Sequence, residues 1–189
     1  MKYGVIILVC LVFATGLFLF YHPLKTTMDT EVGNSIPISR GKTLTLESSA
    51  FAHNSPIPSR FTCDGRDIHP ALKISGVPDG AKSLVLIMDD PDAPAGIWIH
   101  WVKFNISPRV ATIDEGDENF GTAGKGTSGS LVYQGPCPPS GTHHYIFRLY
   151  ALDAELPLKE GATKPDLIKA MGGHILDQTE LIGLYKRGQ

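Results

Sequence analysis

The sequence predicts a mainly β domain, an antiparallel sheet with peripheral helical structure and a C-terminal helix, preceded by one N-terminal transmembrane helix. The 14 prolines and 20 glycines, with only 19% charged residues, are typical of a turn-rich β protein. Short strand-like segments follow one another without a long helical pattern between them, which favours antiparallel pairing over βαβ units. A long uncharged segment stands before all of them.

That uncharged segment predicts a membrane anchor over residues 1–24. Residues 4–21 carry no charge, and their length lies in the lower part of the range of about 17 to 25 residues that crosses a bilayer as a helix. Lys2 stands before them, so the positive-inside rule favours a cytoplasmic N-terminus and an extracytoplasmic domain. The alternative is a signal peptide cleaved near Ala14 to Gly16, which would release a secreted domain, although the apolar run continues to Tyr21.

A tether and one folded domain follow the anchor. Residues 25–42 are polar and are interrupted by Gly33 and Pro37, a composition that predicts a linker. The domain is predicted over residues 43–189, because alternation of polar and apolar residues begins there. Further strands are predicted at residues 72–75, 83–88, 97–105 and 145–152.

One helix is predicted near the C-terminus. Thr163 is a suitable N-cap with Asp166 three residues later, and Pro165 is tolerated in a first turn. The Gly172-Gly173 pair predicts a bend or a break. The apolar residues that follow helical spacing, and so define a face to pack on the sheet, are Leu167, Ile168, Met171, Ile175 and Leu176.

The charge pattern excludes nucleic acid as a partner. The net charge is -2, and the sequence has no Lys/Arg run or basic stripe. Proteins that bind a phosphate backbone carry clustered positive charge.

Two segments carry polar residues that a buried sheet does not need. The first places Asp90 and Pro94 in an acidic, proline-locked turn between two predicted strands, with His100 inside the second strand. The other, GPCPPSGTHHY at residues 135–145, is a stiff loop that enters a strand. Because strand side chains alternate, His143 and Tyr145 share one face and His144 takes the other.

The two segments favour a pocket only in combination. Alone, His100 in an apolar strand is more often a hydrogen-bonded core histidine than a ligand-binding residue, and the acidic turn could be only a rigid corner. If the segments meet, a carboxylate, two imidazoles and a phenol line one concave site that can bind a phosphate or similar oxyanion.

The segments FTCDGRD, DDPDAP, WIHW, ENFG, GPCPPSGTHHY and FRLYALD together resemble the phosphatidylethanolamine-binding protein family, in its bacterial and archaeal, Raf kinase inhibitor-like branch. The resemblance covers about residue 44 to the C-terminus. It implies a β-sheet domain whose small pocket binds phosphate, phosphoethanolamine-like head groups or related anions, without a cofactor or a metal. Carried over position by position, the implied pocket residues are Asp90, Pro94, His100, Gly135, Pro136, Pro138, His143 and Tyr145.

We hypothesise a role for each polar group of this pocket. His100 and His143 would donate hydrogen bonds to the anion, the Gly135 region would offer a backbone N–H, and Tyr145 would add a hydroxyl. Asp90 repels an anion, so it needs another role. It would hold a pocket histidine in its donating tautomer, share a proton with the ligand, or meet the ammonium of a zwitterionic head group.

The remaining histidines and tryptophans have simpler interpretations. His53, His69, His144 and His174 are interpreted as residues of the surface, of turns or of a helix face. Trp98 and Trp101 lie on either side of His100. The ring of one of them would form a wall of the pocket and the other would belong to the core, to which Trp101 is assigned.

Cys63 and Cys137 are the two cysteines of the predicted domain. A disulfide between them would brace the loop that contains Cys137, and it would need an oxidising compartment, as expected outside the cytoplasm. Free thiols remain an alternative. So does a zinc site with two histidines, although no C-x₂-C pair is present.

Three function classes remain open at this point. The first, which we favour, is non-enzymatic binding of a small anionic ligand, with modulation of a partner protein as an extension. The second is a phosphoester hydrolase that uses Asp90, His100 and His143, although Ser140 does not lie in a nucleophile elbow. The third is a protease or kinase inhibitor that acts through the loops at the pocket rim.

Overall fold

The computed structural model describes residues 43–188. The predicted anchor (1–24) and tether (25–42) lie outside the described residues, and within the described range no helix is long and apolar enough to cross a bilayer. The elements are β1 (Thr45–Ser48), β2 (Ser55–Pro56), a 3₁₀ turn (Ser59–Phe61), β3 (Leu72–Ser75), β4 (Ser83–Asp90), β5 (Trp98–Ile106), β6 (Thr112–Ile113), β7 (Thr122–Ala123), β8 (His143–Leu152), α1 (Lys164–Met171) and β9 (Ile175–Tyr185).

The strands form two sheets. The larger sheet has the order β2-β9-β8-β4-β5-β7, and the smaller one has the order β1-β3-β6. Every strand pair is antiparallel except β2 with β9, where Ser55 lies opposite Gly183 in a parallel pairing. The predicted mainly β, antiparallel fold is therefore confirmed, with one parallel edge strand.

Four predicted strands are present, with small differences at their ends. The segment 72–75 coincides with β3, and 83–88 extends to Asp90 as β4. The segments 97–105 and 145–152 correspond to β5 and to β8, which begins two residues earlier at His143. The extra residues at the ends of β4 and β8 are polar: Asp89, Asp90, His143 and His144.

The predicted helix is present, but its predicted extension to Leu176 is wrong. α1 has the predicted capping box: the Asp166 carboxylate accepts the Thr163 backbone N–H at 2.9 Å, and the Thr163 hydroxyl accepts the Asp166 N–H. The helix ends at Met171 with Gly172 as its C-cap, and Gly173 adopts a φ of 81°. The chain then enters β9, which pairs with β8 at ten positions; this long-range pairing outweighs the local helical spacing.

The central strand β4 separates two apolar layers, and all eight of its residues are buried. Leu84 and Met88 belong to the main core, between the larger and the smaller sheet. Val85 and Ile87 face the other way, where they pack with Leu167 of α1. The helix therefore covers one face of the sheet, and the pocket described below forms at the end of the opposite face.

The prediction that His69 is a surface or turn residue is wrong, because His69 belongs to the core. It is fully buried, and its ring stacks on Trp101 with 4.5 Å between the ring centroids. Its ring nitrogens lie 3.0 and 2.8 Å from the carbonyl oxygens of Pro70 and Asp117. Trp101 is buried as predicted. A turn-like sequence around His69 concealed these partners, which come from distant parts of the chain.

The Glu118 carboxylate fixes the chain that leads toward the pocket. It lies 3.0 Å from the buried Lys103 ammonium, and it accepts hydrogen bonds from the Trp101 indole and from the Tyr133 backbone N–H. Tyr133 lies two residues before Gly135, where the pocket loop of residues 135–145 begins. Three donors therefore converge on one carboxylate, whose charge compensates that of Lys103.

We predict that Glu118→Gln lowers the free energy of unfolding by about 1–3 kcal/mol, because the buried Lys103 loses its counter-charge and an amide donor meets other donors. Glu115→Gln is the matched control. Glu115 pairs with Arg60, whose side chain is 56% exposed, and such exposed pairs contribute less than about 1 kcal/mol. Urea unfolding of both variants measures the difference, and equal losses would contradict the prediction.

Candidate functional site

Antiparallel pairing brings the two predicted segments together. Where β4 ends, both of its neighbours begin: Asp90 lies opposite Trp98 of β5, and Asp89 lies opposite Ile146 of β8. The acidic turn and the His100 strand therefore meet the start of the His143 strand. Residues that are far apart in the sequence therefore become neighbours on adjacent strands.

The polar ends of these strands line a cavity of about 340 Å³, a size at the small end of the range for ligand pockets. Pro136 does not line this cavity; it is buried, and its carbonyl accepts the Cys63 N–H at 3.1 Å. The other seven residues of the implied set do line it: Asp90, Pro94, His100, Gly135, Pro138, His143 and Tyr145.

Asp90 contacts His143 inside the cavity wall. The two side chains are almost fully buried, and Nδ1–H of His143 donates to the Asp90 carboxylate at 2.7 Å. The second carboxylate oxygen accepts the Asp92 backbone N–H at 2.8 Å, an Asx turn of the type that Asp-Pro sequences favour. Asp90 therefore orients a pocket histidine, but it does so at Nδ1, which leaves Nε2 of the neutral ring as an acceptor and not in the donating tautomer that was considered.

A second aspartate–histidine contact lies outside the cavity. The Asp92 carboxylate accepts both the backbone N–H and the Nδ1–H of His144, at 2.8 and 2.7 Å. These hydrogen bonds lower the pKa of Asp92. His144 is exposed while its neighbours His143 and Tyr145 are buried, in agreement with the predicted alternation. The acidic turn is thus fastened to β8 on both sides.

His100 is held by a backbone carbonyl. Its Nδ1–H donates to the Gln134 carbonyl at 2.8 Å, and the residue is only 6% exposed. Burial lowers its pKa, against the opposing effects of this hydrogen bond and of the Asp90 charge. The imidazole is therefore neutral at pH 7, with Nε2 as its remaining polar atom.

The Tyr145 hydroxyl is the buried side-chain polar atom that has no hydrogen-bond partner among the described residues. Its ring lies edge-on to His100, with 5.2 Å between centroids, and parallel to His143 at 6.4 Å. Burial and then the nearby Asp90 carboxylate raise its pKa, so the phenol keeps its proton. Leaving such a group unpaired costs about 1–3 kcal/mol, and this cost points to a ligand atom or a water at that position.

The N–H of Gly135 has a partner within the protein, so it is not the backbone donor that the Gly135 region was predicted to offer to an anion. The N–H donates to the Asp67 carboxylate at 2.6 Å. A Cβ at position 135 would lie 2.5 Å from the Phe61 carbonyl oxygen, so glycine is required for close packing. Asp67 adopts a left-handed φ of 56°, which is uncommon for a residue with a side chain and which fits its role as an anchor of the pocket loop.

Sequence reasoning assigned no role to several residues that line the cavity. Asp67 belongs to the FTCDGRD segment and was assigned no role in the pocket, whereas Cys63 of the same segment was considered only as a disulfide partner of Cys137. Ser128 and Gln134 come from the chain after β7, and the Ser128 hydroxyl donates to the Gln134 side-chain oxygen. No local pattern marks these residues, because their position depends on how the loops pack. Trp98 lines the cavity, and it shares the strand face of His100.

Cys63 and Cys137 form a disulfide with 5.4 Å between their Cα atoms. The pairing considered from the sequence is therefore present, and these cysteines are neither free thiols nor zinc ligands. Both residues line the cavity. The pocket loop is thus tied to the 3₁₀ region by the disulfide, by the Asp67 contact and by the Cys63–Pro136 backbone hydrogen bond.

A larger cavity of about 620 Å³ lies between the smaller sheet and β9. Its walls include the apolar Leu46, Phe51 and Leu72, with His53 and Asp114 also present. None of the implied pocket residues borders it, and no buried unpaired polar atom faces it among the described residues. Chemistry therefore favours the smaller cavity as the functional site.

The lowered pKa of His100 predicts a pH-dependent stability. The ordinary pKa of a histidine is 6.5. When the pH falls below this value, His100 binds a proton in the unfolded chain more readily than in the folded protein. The contribution of His100 to the free energy of unfolding is therefore present above about pH 6.5 and is lost as the pH falls through the lower folded-state pKa.

Urea unfolding from about pH 7.5 to about pH 4.5 tests this linkage. The stability of the wild-type protein relative to His100→Gln should fall as the pH decreases. His53→Gln is the control, because His53 is exposed and should give no comparable slope. A His100→Gln difference that does not change with pH would refute the linkage.

Comparison with known proteins agrees with the resemblance stated above. A family model described as phosphatidylethanolamine-binding protein matches residues 47–186. A UPF0098 protein of Methanothermobacter thermautotrophicus is 52% identical over 151 residues, which cover 77% of this chain and 100% of that protein.

Solved structures give the same result. The crystal structure of CT736 of Chlamydia trachomatis, described as a phosphatidylethanolamine-binding protein homologue, has a TM-score of 0.75 and 45% identity, and the match covers 77% of this chain and 99% of that one. Escherichia coli YbcL shares the fold, with a TM-score of 0.69 at 24% identity over 76% of this chain and 98% of that one. Since the family model spans most of the described residues and the archaeal relative matches over its full length, this chain belongs to the phosphatidylethanolamine-binding protein family.

Proposed function

We propose that this protein binds a small phosphate-containing ligand in the cavity of about 340 Å³ and performs no covalent chemistry on it. The observation that carries the proposal is the convergence of three polar atoms that make no hydrogen bond to the described residues: Nε2 of His100, Nε2 of His143 and the Tyr145 hydroxyl. Each ring is held by its other contacts, so these atoms are available to a ligand.

The arrangement suits a phosphoryl group. Its several oxygens can accept and donate hydrogen bonds in different directions, as the three groups require. In its imidazolium form, with Asp90 as its counter-charge, His143 supplies a charge-assisted donor. The proline-rich wall, which includes Pro94 and Pro138, gives the remaining contact surface.

The hydrogen bonds of the hydroxyl groups in the cavity favour binding without turnover over hydrolysis. Apart from Tyr145, Ser128 is the hydroxyl-bearing residue among those that line the cavity. Its hydroxyl donates to the Gln134 side chain and accepts the Ser130 N–H, and none of the described histidines is bonded to it. A serine nucleophile would need a base within hydrogen-bond distance.

We predict that His143→Ala weakens the binding of phosphate and phosphoethanolamine by about ten-fold or more, because a charge-assisted hydrogen bond contributes about 1.5–3 kcal/mol. His144→Ala is the matched control, since the neighbouring His144 side chain is exposed and should change affinity by less than about two-fold. Isothermal titration calorimetry measures both variants, with circular dichroism to confirm folding. Hydrolysis of a phosphoester panel by the wild-type protein would refute the non-enzymatic proposal.

We further propose that the domain is located on the extracytoplasmic side of a membrane, with residues 1–24 as its anchor. The Cys63–Cys137 disulfide supports this location, because disulfides persist mainly in oxidising compartments. The positive-inside argument from Lys2 gives the same orientation. Secretion after cleavage of the N-terminal segment is the alternative, and protease accessibility of the domain in intact cells, with a membrane-fractionation assay, separates the two.

The disulfide gives a direct prediction for the isolated protein. Alkylation without a reductant should leave Cys63 and Cys137 unmodified, and reduction should expose both to alkylation, as mass spectrometry can show. Replacing both with serine should lower the free energy of unfolding by about 4–5 kcal/mol on the chain-entropy model. If Cys63 and Cys137 both react before reduction, the disulfide is absent from the protein, and it no longer supports the proposed location.

A further inference from the structure

The cavity offers more hydrogen-bond acceptors than a site for a fully ionised phosphate should. The described residues that line it include no lysine or arginine, whereas two carboxylates, Asp67 and Asp90, are among them. Asp90 is 3% exposed, so its charge is poorly screened. A dianion entering this cavity would meet negative charge without a permanent positive charge to offset it.

The tautomer of His100 adds a further acceptor. The Gln134 carbonyl can only accept a hydrogen bond, so Nδ1 of His100 must carry the proton in their contact of 2.8 Å. In the neutral ring, Nε2 is then an acceptor, and burial favours the neutral ring. Nε2 makes no hydrogen bond to the described residues, and it is not among their buried unpaired atoms, so it is open to the cavity.

Two donors complement this acceptor. The Tyr145 hydroxyl keeps its proton and has no partner among the described residues. His143, paired with Asp90 at Nδ1, presents an Nε2–H when it is an imidazolium. With His143 in that form, a ligand that satisfies all three groups must offer two acceptors and one donor.

We infer that the pocket selects the singly protonated, monoanionic form of a phosphate monoester, whose P–OH donates to Nε2 of His100 while its other oxygens accept from His143 and Tyr145. This inference rests on the proposed function and specifies its ligand class. A dianion leaves Nε2 of His100 without a donor, and so does a phosphodiester. A buried acceptor left unpaired in a complex is costly.

A pair of ligands with equal charge tests the inference in the wild-type protein. Methyl phosphate has a second pKa of about 6, so at about pH 5.5 it is mostly a monoanion with a P–OH group. Dimethyl phosphate is a monoanion without one. By isothermal titration calorimetry, methyl phosphate should bind about ten-fold more tightly or better.

Two variants assign the preference to His100. His100→Phe keeps a ring but removes the acceptor, so the two ligands should bind with nearly equal affinity. His143→Phe is the matched control, since it should weaken both ligands and leave their ratio close to that of the wild-type protein. Circular dichroism checks that each variant folds, and the wild-type comparison stands without them.

The outcomes separate the inference from the proposed function. Equal affinity of the wild-type protein for the two ligands would overturn the inference and leave phosphate binding intact. No binding of either ligand would overturn the proposed function and the inference with it. Glycerophosphoethanolamine, a diester with an ammonium group, is the third ligand. Tighter binding of this diester than of methyl phosphate would make the ammonium the required donor and would also overturn the inference.

Discussion

The buried contact between the Asp90 carboxylate and Nδ1 of His143 is the interaction on which the site depends. Both side chains are within a few per cent of full burial, so neither charge nor donor can be satisfied by solvent. A buried carboxylate that loses its partner costs several kcal/mol. The contact therefore fixes the end of β4 against the start of β8, and it orients Nε2 of His143. The position of Tyr145, two residues further along β8, follows from the same strand.

Consecutive aspartates at the end of β4 serve opposite faces of the sheet. Asp90 faces the cavity, whereas Asp89 accepts contacts from Arg148 and from Lys164 at the start of α1. Strand geometry produces this division, because neighbouring side chains point to opposite sides. The helix is thus fastened to the strand that carries the site. A change at Asp89 would reach the cavity through the backbone of β4, without any contact with a ligand.

The elements that depend on a local sequence pattern could be predicted, whereas the contacts that depend on packing between distant elements could not. Alternation and turn residues predicted β3, β4, β5 and β8, and the Thr163 capping box predicted α1. β9 was missed, because Ile175 continued a helical spacing that Gly172 and Gly173 interrupt, and because its pairing with β8 is long-range. Likewise, the role of Asp67 as partner of the Gly135 N–H and the burial of His69 depend on residues from other elements, which no local pattern reveals.

The pocket is pre-organised by restraints that act independently of a ligand. The disulfide, the contact between Asp67 and Gly135, and the carbonyl that holds His100 each fix a part of its wall. A site held in this way loses little conformational entropy when it binds, so few contacts are enough for a useful affinity. The same rigidity limits the adjustment of the wall to a different ligand. Selectivity must then come from the fixed pattern of donors and acceptors, in which the Tyr145 hydroxyl is the buried side-chain polar atom of the described residues that has no hydrogen-bond partner among them.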